Sequence, residues 1–220
     1  MPSSISSSSL KTQLDARKAQ WAVKAPDEIK RLYQEGIQAV VDAGVIAAAK
    51  QIGESAPDFV LPNALGHPIR MSKRLQDGPL ILTWYRGGWC PYCNLTLRHL
   101  QTELPRFQAA GAQLMALTPE LPDQTLSTTE KNELSFEVLS DVGNAVARLY
   151  GIVFDLTPAV AEKYQAAFDL HGYNGDESNQ LPLAATYVID QAGVIRYAFL
   201  DAEYRNRAES TEILAALKRL

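Results

Sequence analysis

Apolar residues follow two different periods along this chain. Short apolar runs at 80–85, 112–117, 185–190 and 194–199 predict strands. Between them, apolar positions three and four residues apart predict helices over 91–110, 123–133, 142–150, 158–170 and 207–219. Pro105 is expected to kink or divide the first helix, because proline lacks the N–H that a helix interior uses. Thr157-Pro158 reads as a cap followed by proline in the first turn. Asp190-Gln191-Ala192-Gly193 is short enough to join two strands as a hairpin. Residues 171–181, with Gly172, Asn174, Gly175 and Asp176, read as a surface loop before that hairpin.

Nearer the start, residues 26–50 predict a helix capped by Asp27, with Ile29, Leu32, Tyr33, Ile37, Val40 and Val41 at helical spacing. Gly36 and Gly44 each weaken it by about 1 kcal/mol relative to alanine. It therefore needs a partner surface, either the main domain or a second copy of the chain in a homodimer. Gly53 to Pro57 marks the start of the main domain. The expected organisation is a flexible segment and helical extension over 1–50, then one α/β domain over 51–220. Its order of strand, helix, strand, helix, hairpin and final helix implies a parallel crossover followed by an antiparallel pair.

Composition narrows the function classes. The 220 residues are 46% apolar and 21% charged, with a net charge of −4, so no basic field invites nucleic acid or anionic lipid. No apolar run approaches the roughly 18 residues of a membrane span. Residues 1–9 are serine-rich and lack the apolar centre of a secretory signal. Lys11, Arg17, Lys18 and Lys24 against Asp15 give the first 25 residues a faint likeness to a transit peptide, although a frayed, solvated terminus is the plainer reading. Only two cysteines are present, which rules out a structural disulfide framework and makes a reducing cytoplasm the expected location.

Both cysteines lie in Cys90-Pro91-Tyr92-Cys93, after the run Leu80–Tyr85 and the bridge Arg86-Gly87-Gly88-Trp89. A C-x-x-C where a strand passes into a helix is the sequence form of a redox-active dithiol. With Pro91 in the first turn, Cys90 stands at or beside the N-cap, where outward N–H groups favour thiolate. Arg86 is placed to add a full charge. Cys93, one turn inside, is expected to be the shielded, resolving thiol. Zinc would need two more ligands at comparable spacing, and His67, His99 and His171 are scattered, so neither a metal nor another cofactor is expected. One of Trp84 and Tyr85 should face the core. Trp89 and Tyr92 flank the cysteines, either as an apolar platform for a partner protein or substrate or as ordinary packing. Ser140 and Asp141 read as the start of a helix.

At these residues the chain resembles the thioredoxin superfamily, and within it the peroxiredoxin-like proteins of the alkyl hydroperoxide reductase/thiol-specific antioxidant family. The likeness runs over roughly 52–217. It is carried by Gly53-Glu54-Ser55-Ala56-Pro57-Asp58-Phe59, Trp89-Cys90-Pro91, Gly111–Leu117, Leu139-Ser140-Asp141, Val146–Gly151, Thr186–Asp190 and Gly193–Tyr197 in that order. The resemblance implies a thioredoxin-like α/β fold, a central mixed sheet flanked by helices. It also implies a thiol-dependent antioxidant enzyme in which Cys90 attacks a peroxide, becomes a sulfenic acid and condenses with Cys93. Thioredoxin, glutaredoxin or glutathione would then restore the dithiol. A late arginine normally helps hold thiolate and peroxide in such enzymes, and both Arg205 and Arg207 lie in the right region.

Three features keep a second reading open, that of a general thiol–disulfide oxidoreductase acting on disulfide substrates. The family's P-x-x-x-T/S-x-x-C has Gly87 where its last hydroxyl would stand, and the bridge has the length found in thioredoxins. The Cys-Pro-Tyr-Cys tetrad itself matches glutaredoxins. Thioredoxins carry a buried acid six residues before the first cysteine, where this chain has Trp84. Pro182 is the nearest counterpart of their active-site proline.

Overall fold

A computed structural model describes residues 9–220. The serine-rich start, 1–8, lies outside the described residues. The chain opens with α1 (Leu10–Lys24), α2 (Asp27–Asp42) and α3 (Val45–Ala48), followed by a small ribbon of β1 (Val60–Pro62) and β2 (Pro68–Arg70), then α4 (Met71–Arg74). The central elements are β3 (Leu80–Trp84), α5 (Pro91–Ala109), β4 (Gln113–Thr118), α6 (Pro122–Lys131), β5 (Glu137–Ser140) and α7 (Ala145–Leu149). Next come β6 (Val153–Asp155), α8 (Pro158–Phe168), α9 (Leu170–Asn174), β7 (Gln180–Pro182), the hairpin β8 (Thr186–Ile189) and β9 (Ile195–Phe199), and finally α10 (Ser210–Leu217).

The main sheet has the order β5-β4-β3-β8-β9. β3 pairs parallel with β4 and antiparallel with β8, so the sheet is mixed. Every residue of β3 is buried, because both faces of a central strand are covered. Leu80, Leu82 and Trp84 face the core layer that holds Ile37, Met71, Val146 and Tyr150. Ile81 and Tyr85 face the layer built from α1, α5 and α10. Trp84 and Tyr85 are therefore both core, on opposite sides.

Several expected boundaries shift. The extension is three helices, and Gly44 at φ +67 ends α2 rather than merely weakening one long helix. Asp27 is the first helical residue and Pro26 the cap. The partner surface of α2 is the main domain, since Ile37 and Val40 join its core. α1 is a docked helix: Leu10 and Leu14 are buried with α5, and the Lys11 N–H donates to Glu209 at 2.6 Å. α5 continues through Pro105 as one helix. Asp141 accepts N–H groups from Val146 and Ala147 at 2.9 and 2.8 Å, which caps α7 across a short turn. The 171–181 loop contains most of α9 and the start of β7.

Candidate active site

β3 delivers the chain at the C-terminal end of the central strand to Tyr85, and six residues later, at Pro91, α5 begins. Cys90 is the N-cap of α5, at φ −86 and ψ 115, with Pro91 in the first turn. The bridge between them is so tight that its glycines are obligatory. At Gly87, φ is +150 and a Cβ would stand 2.2 Å from the Trp89 ring nitrogen. At Gly88 it would stand 2.1 Å from Thr128 Oγ1. The Asn94 amide ties the bridge to the helix, donating to the Gly88 and Cys90 carbonyls at 2.7 and 3.1 Å. Asn132 at the end of α6 donates in turn to Asn94 Oδ1 at 2.8 Å.

Both sulfurs are deep: Cys90 is 1% exposed and Cys93 0%. Neither is in a disulfide. Burial alone would raise both pKa values. At Cys93 that cost is outweighed by the hydrogen bond from Cys90, the charges of Arg207 and Arg86, and the Arg86 backbone N–H, which together bring the thiol down to about 5. Arg207 Nη2 lies 3.4 Å from Cys93 Sγ. Cys90 is pushed well up by burial and by sharing its proton with Cys93, although both arginines pull the other way. The pair thus gives up one proton readily and holds the second, and the titration belongs to the pair. The single negative charge is thus shared by the pair and is not confined to the N-cap sulfur. The helix terminus supplies a partial charge, whereas Arg207 supplies a whole one directly to Cys93.

The two late arginines part company. Arg207 enters the dithiol pocket and is braced by the Tyr204 and Asn206 carbonyls. Arg205 instead pairs with Glu203 at 2.5 Å and lies over Trp21. Arg86 is 2% exposed, donates to the Tyr164 hydroxyl at 2.8 Å and lies 4.2 Å from the Tyr204 ring centroid. Trp89 stacks on Phe168 at 4.1 Å, and buried Tyr92 meets Tyr204 edge-on. Neither forms an open platform; both pack inward, because α8 and the segment after β9 cover them. Pro182 is held in the β6–β7 ribbon opposite Val153, and the Ala185 carbonyl is what meets the Trp84 N–H beside the bridge. Among the described residues no three His, Cys, Asp or Glu side chains come together as a metal site.

Residues 52–198 match the AhpC/TSA family. The chain belongs to that family. It is 24% identical over 147 residues to the chloroplastic peroxiredoxin Q of Sedum lineare, covering 67% of each chain. Over 100 residues it is 28% identical to the putative peroxiredoxin bcp of Buchnera aphidicola, covering 46% of this chain and 63% of that one. The crystal structure of peroxidoxin BcpB from Mycobacterium tuberculosis superposes with a TM-score of 0.61 at 21% identity, over 77% of this chain and 97% of the other. A solution structure described as a putative protein disulfide isomerase from Bacteroides thetaiotaomicron superposes at 0.54 and 16% identity, over 77% and 89%. The fold is thus the thioredoxin-like one, and membership makes the chain a thiol oxidoreductase of the peroxiredoxin type.

One residue of this AhpC/TSA site escaped the sequence reading. Glu120, just beyond β4, is fully buried. Burial raises its carboxyl to about 7 despite the Gly88 N–H donating to Oε1 at 2.8 Å, with the Cys93 charge adding to the rise. The buried Tyr85 hydroxyl faces the same carboxyl and draws its pKa down, against the rise that burial causes. An acid therefore lies beside the dithiol after all, supplied by the segment after β4 where thioredoxins use the strand before the bridge. Thr118-Pro119-Glu120 carries no motif that would have announced it.

Proposed function

We propose that this chain reduces peroxides by cycling Cys90 and Cys93 between dithiol and disulfide. The observation that carries this is the pair itself: two buried sulfurs one helical turn apart at the start of α5, with Arg207 Nη2 3.4 Å from Cys93 and the Arg86 charge acting on both. Cys90, at the N-cap, is the attacking sulfur, its proton passing to Cys93 along their hydrogen bond. Its electron pair forms an S–O bond as the O–O bond breaks, and the leaving oxygen takes the proton back from Cys93 to depart as water or alcohol. Cys93, again ionised, then attacks the Cys90 sulfenic acid; an S–S bond forms and hydroxide leaves as water. Arg207 and Arg86 stabilise the negative charge as it moves between sulfur and oxygen. A thiol reductant returns two electrons to the disulfide. Such a cycle needs a compartment that supplies thiols, and the cysteine count favours the cytoplasm.

Anaerobically reduced protein should lose two thiols to one equivalent of hydrogen peroxide, much faster than free cysteine does. Cys93→Ser should stop at a sulfenic acid that dimedone traps, and Cys90→Ser should not react. A rate no greater than that of free cysteine would refute the reading. The absence of a hydroxyl at position 87 favours, as the second reading, a thiol–disulfide oxidoreductase without appreciable peroxidase activity. That alternative predicts catalytic reduction of insulin, lost in Cys90→Ser, together with slow peroxide consumption.

A further inference from the structure

Between α1 and the first turns of α5 lies an open cleft of about 470 Å³ that reaches Pro91, the exposed residue directly after Cys90. Three cations line it, Arg17, Arg98 and Lys131, together with the amides of Gln20 and Asn94 and no acidic side chain. All three cations are exposed, and none is in an ion pair among the described residues; Arg98 donates to Asn132 Oδ1 at 3.0 Å. The adjoining cleft on the other flank of α1 mixes Lys11, Lys18 and Arg205 with Asp15, Glu209 and Glu212. In a chain of net charge −4, three unpaired cations without an acid are a local reversal of the overall field. Such a concave cationic surface concentrates anions.

We propose that this cleft binds a low-molecular-weight thiol bearing carboxylates, of the glutathione class, and directs it to the oxidised dithiol. The proposal rests on the Cys90–Cys93 cycle above and names its reductant. Three observations favour a slender anion over a protein reductant. The sulfurs are 1% and 0% exposed, so a small thiol has far less of the surrounding chain to displace than a protein's active-site loop would. The cleft's volume suits a tripeptide. Its cations come from three separate elements, α1, α5 and the end of α6, so the cleft presents positive charge to more than one carboxylate. The first thiolate attacks Cys90 Sγ: a glutathione–Cys90 bond forms, the Cys90–Cys93 bond breaks, and the electron pair leaves on Cys93, where Arg207 receives it. A second glutathione thiolate attacks the glutathione sulfur of that mixed disulfide, releasing oxidised glutathione and Cys90. In total, two glutathiones lose two electrons and two protons, and the dithiol gains them.

The test uses full-length protein oxidised with diamide, so that peroxide plays no part. The quantity read is the ratio of reduction rates by glutathione and by 2-mercaptoethanol, which has no carboxylate. It should exceed the ratio for an unstructured Cys-Pro-Tyr-Cys peptide disulfide about tenfold at low salt and decline with ionic strength. Arg17→Glu/Lys131→Glu should lower it about tenfold, whereas Lys73→Glu, on α4 and outside the cleft, should not move it. S-methylglutathione should compete with glutathione for the wild type and not for the double variant. A ratio equal to the peptide's, or unchanged in the double variant, overturns the cleft and leaves the cycle standing. Failure to form any Cys90–Cys93 disulfide with diamide overturns the cycle as well.

Discussion

Arg207→Met removes the guanidinium 3.4 Å from Cys93 Sγ while keeping much of the side chain's volume. Two unit charges at that distance interact by roughly 5 kcal/mol at an effective dielectric of about 20. A hydrogen bond to a charged group contributes about 1.5–3 kcal/mol net, which is the safer figure because Arg86 remains. At about 1.4 kcal/mol per unit, the first ionisation of the pair should rise by about 1–2 units, from about 5 towards 6–7. At pH 6 the ionised fraction then falls from roughly nine-tenths to half or less. Thiolate ultraviolet absorbance of the anaerobic protein, with iodoacetamide alkylation rates as a second readout, measures both midpoints. The linkage has a definite sign. The depressed first ionisation contributes stability that is lost as pH falls through about 5 and grows up to the unfolded value, about 8.5; above that value the raised second ionisation of the pair works in the opposite direction. The variant should lose part of that pH dependence in urea unfolding of the reduced form, and little of it in the disulfide form. A wild-type midpoint near 8.5, or a variant midpoint within about half a unit of wild type, would refute the electrostatic account.

Glu120 has the opposite linkage: its folded value is raised from 4.5 to about 7, so stability falls as pH rises through that window and stays lower above it. Glu120→Gln keeps the acceptor for Gly88 and should stabilise the protein at pH 8 by up to about 3 kcal/mol while changing little at pH 4, as urea titrations at the two values would show. Gly88→Ala should cost about 1–3 kcal/mol through its clash with Thr128, and Thr128→Ala in the same chain should recover most of it in equilibrium unfolding. Leu14→Ala should cost about 2–5 kcal/mol and speed alkylation of the dithiol, because Leu14 packs in the cluster that holds both cysteines; unchanged alkylation would show that α1 does not cover them.

Much of the main domain was legible because its signals are local. The run Leu80–Tyr85 is uniformly apolar, as a strand covered on both faces must be, and proline after Cys90 marks a helix start whatever surrounds it. The order of strands and helices then limited the topology to a mixed sheet. Short elements were missed where pairing, rather than pattern, makes them strands. β1 and β2 are three residues each and hold together only across their antiparallel register, Val60 with Arg70 and Pro62 with Pro68. β6 and β7 are joined in the same way over a gap that reads as loop. α1 was overlooked because its sequence is mostly polar and only Leu10 and Leu14 are buried.

The site divides along the same line. Two cysteines one helical turn apart at an N-cap, a tight glycine bridge before them and a family of proteins that shares their order were all written in contiguous residues. The charge on those sulfurs was not. It depends on Arg207 arriving from beyond β9, on Glu120 arriving from just after β4, and on the apolar cluster, to which α1 adds Leu10 and Leu14, that buries both cysteines. Backbone conformation answers to nearest neighbours and can be read one stretch at a time. Ionisation answers to every charge within several ångströms and to the loss of water, and only the folded chain determines which groups those are.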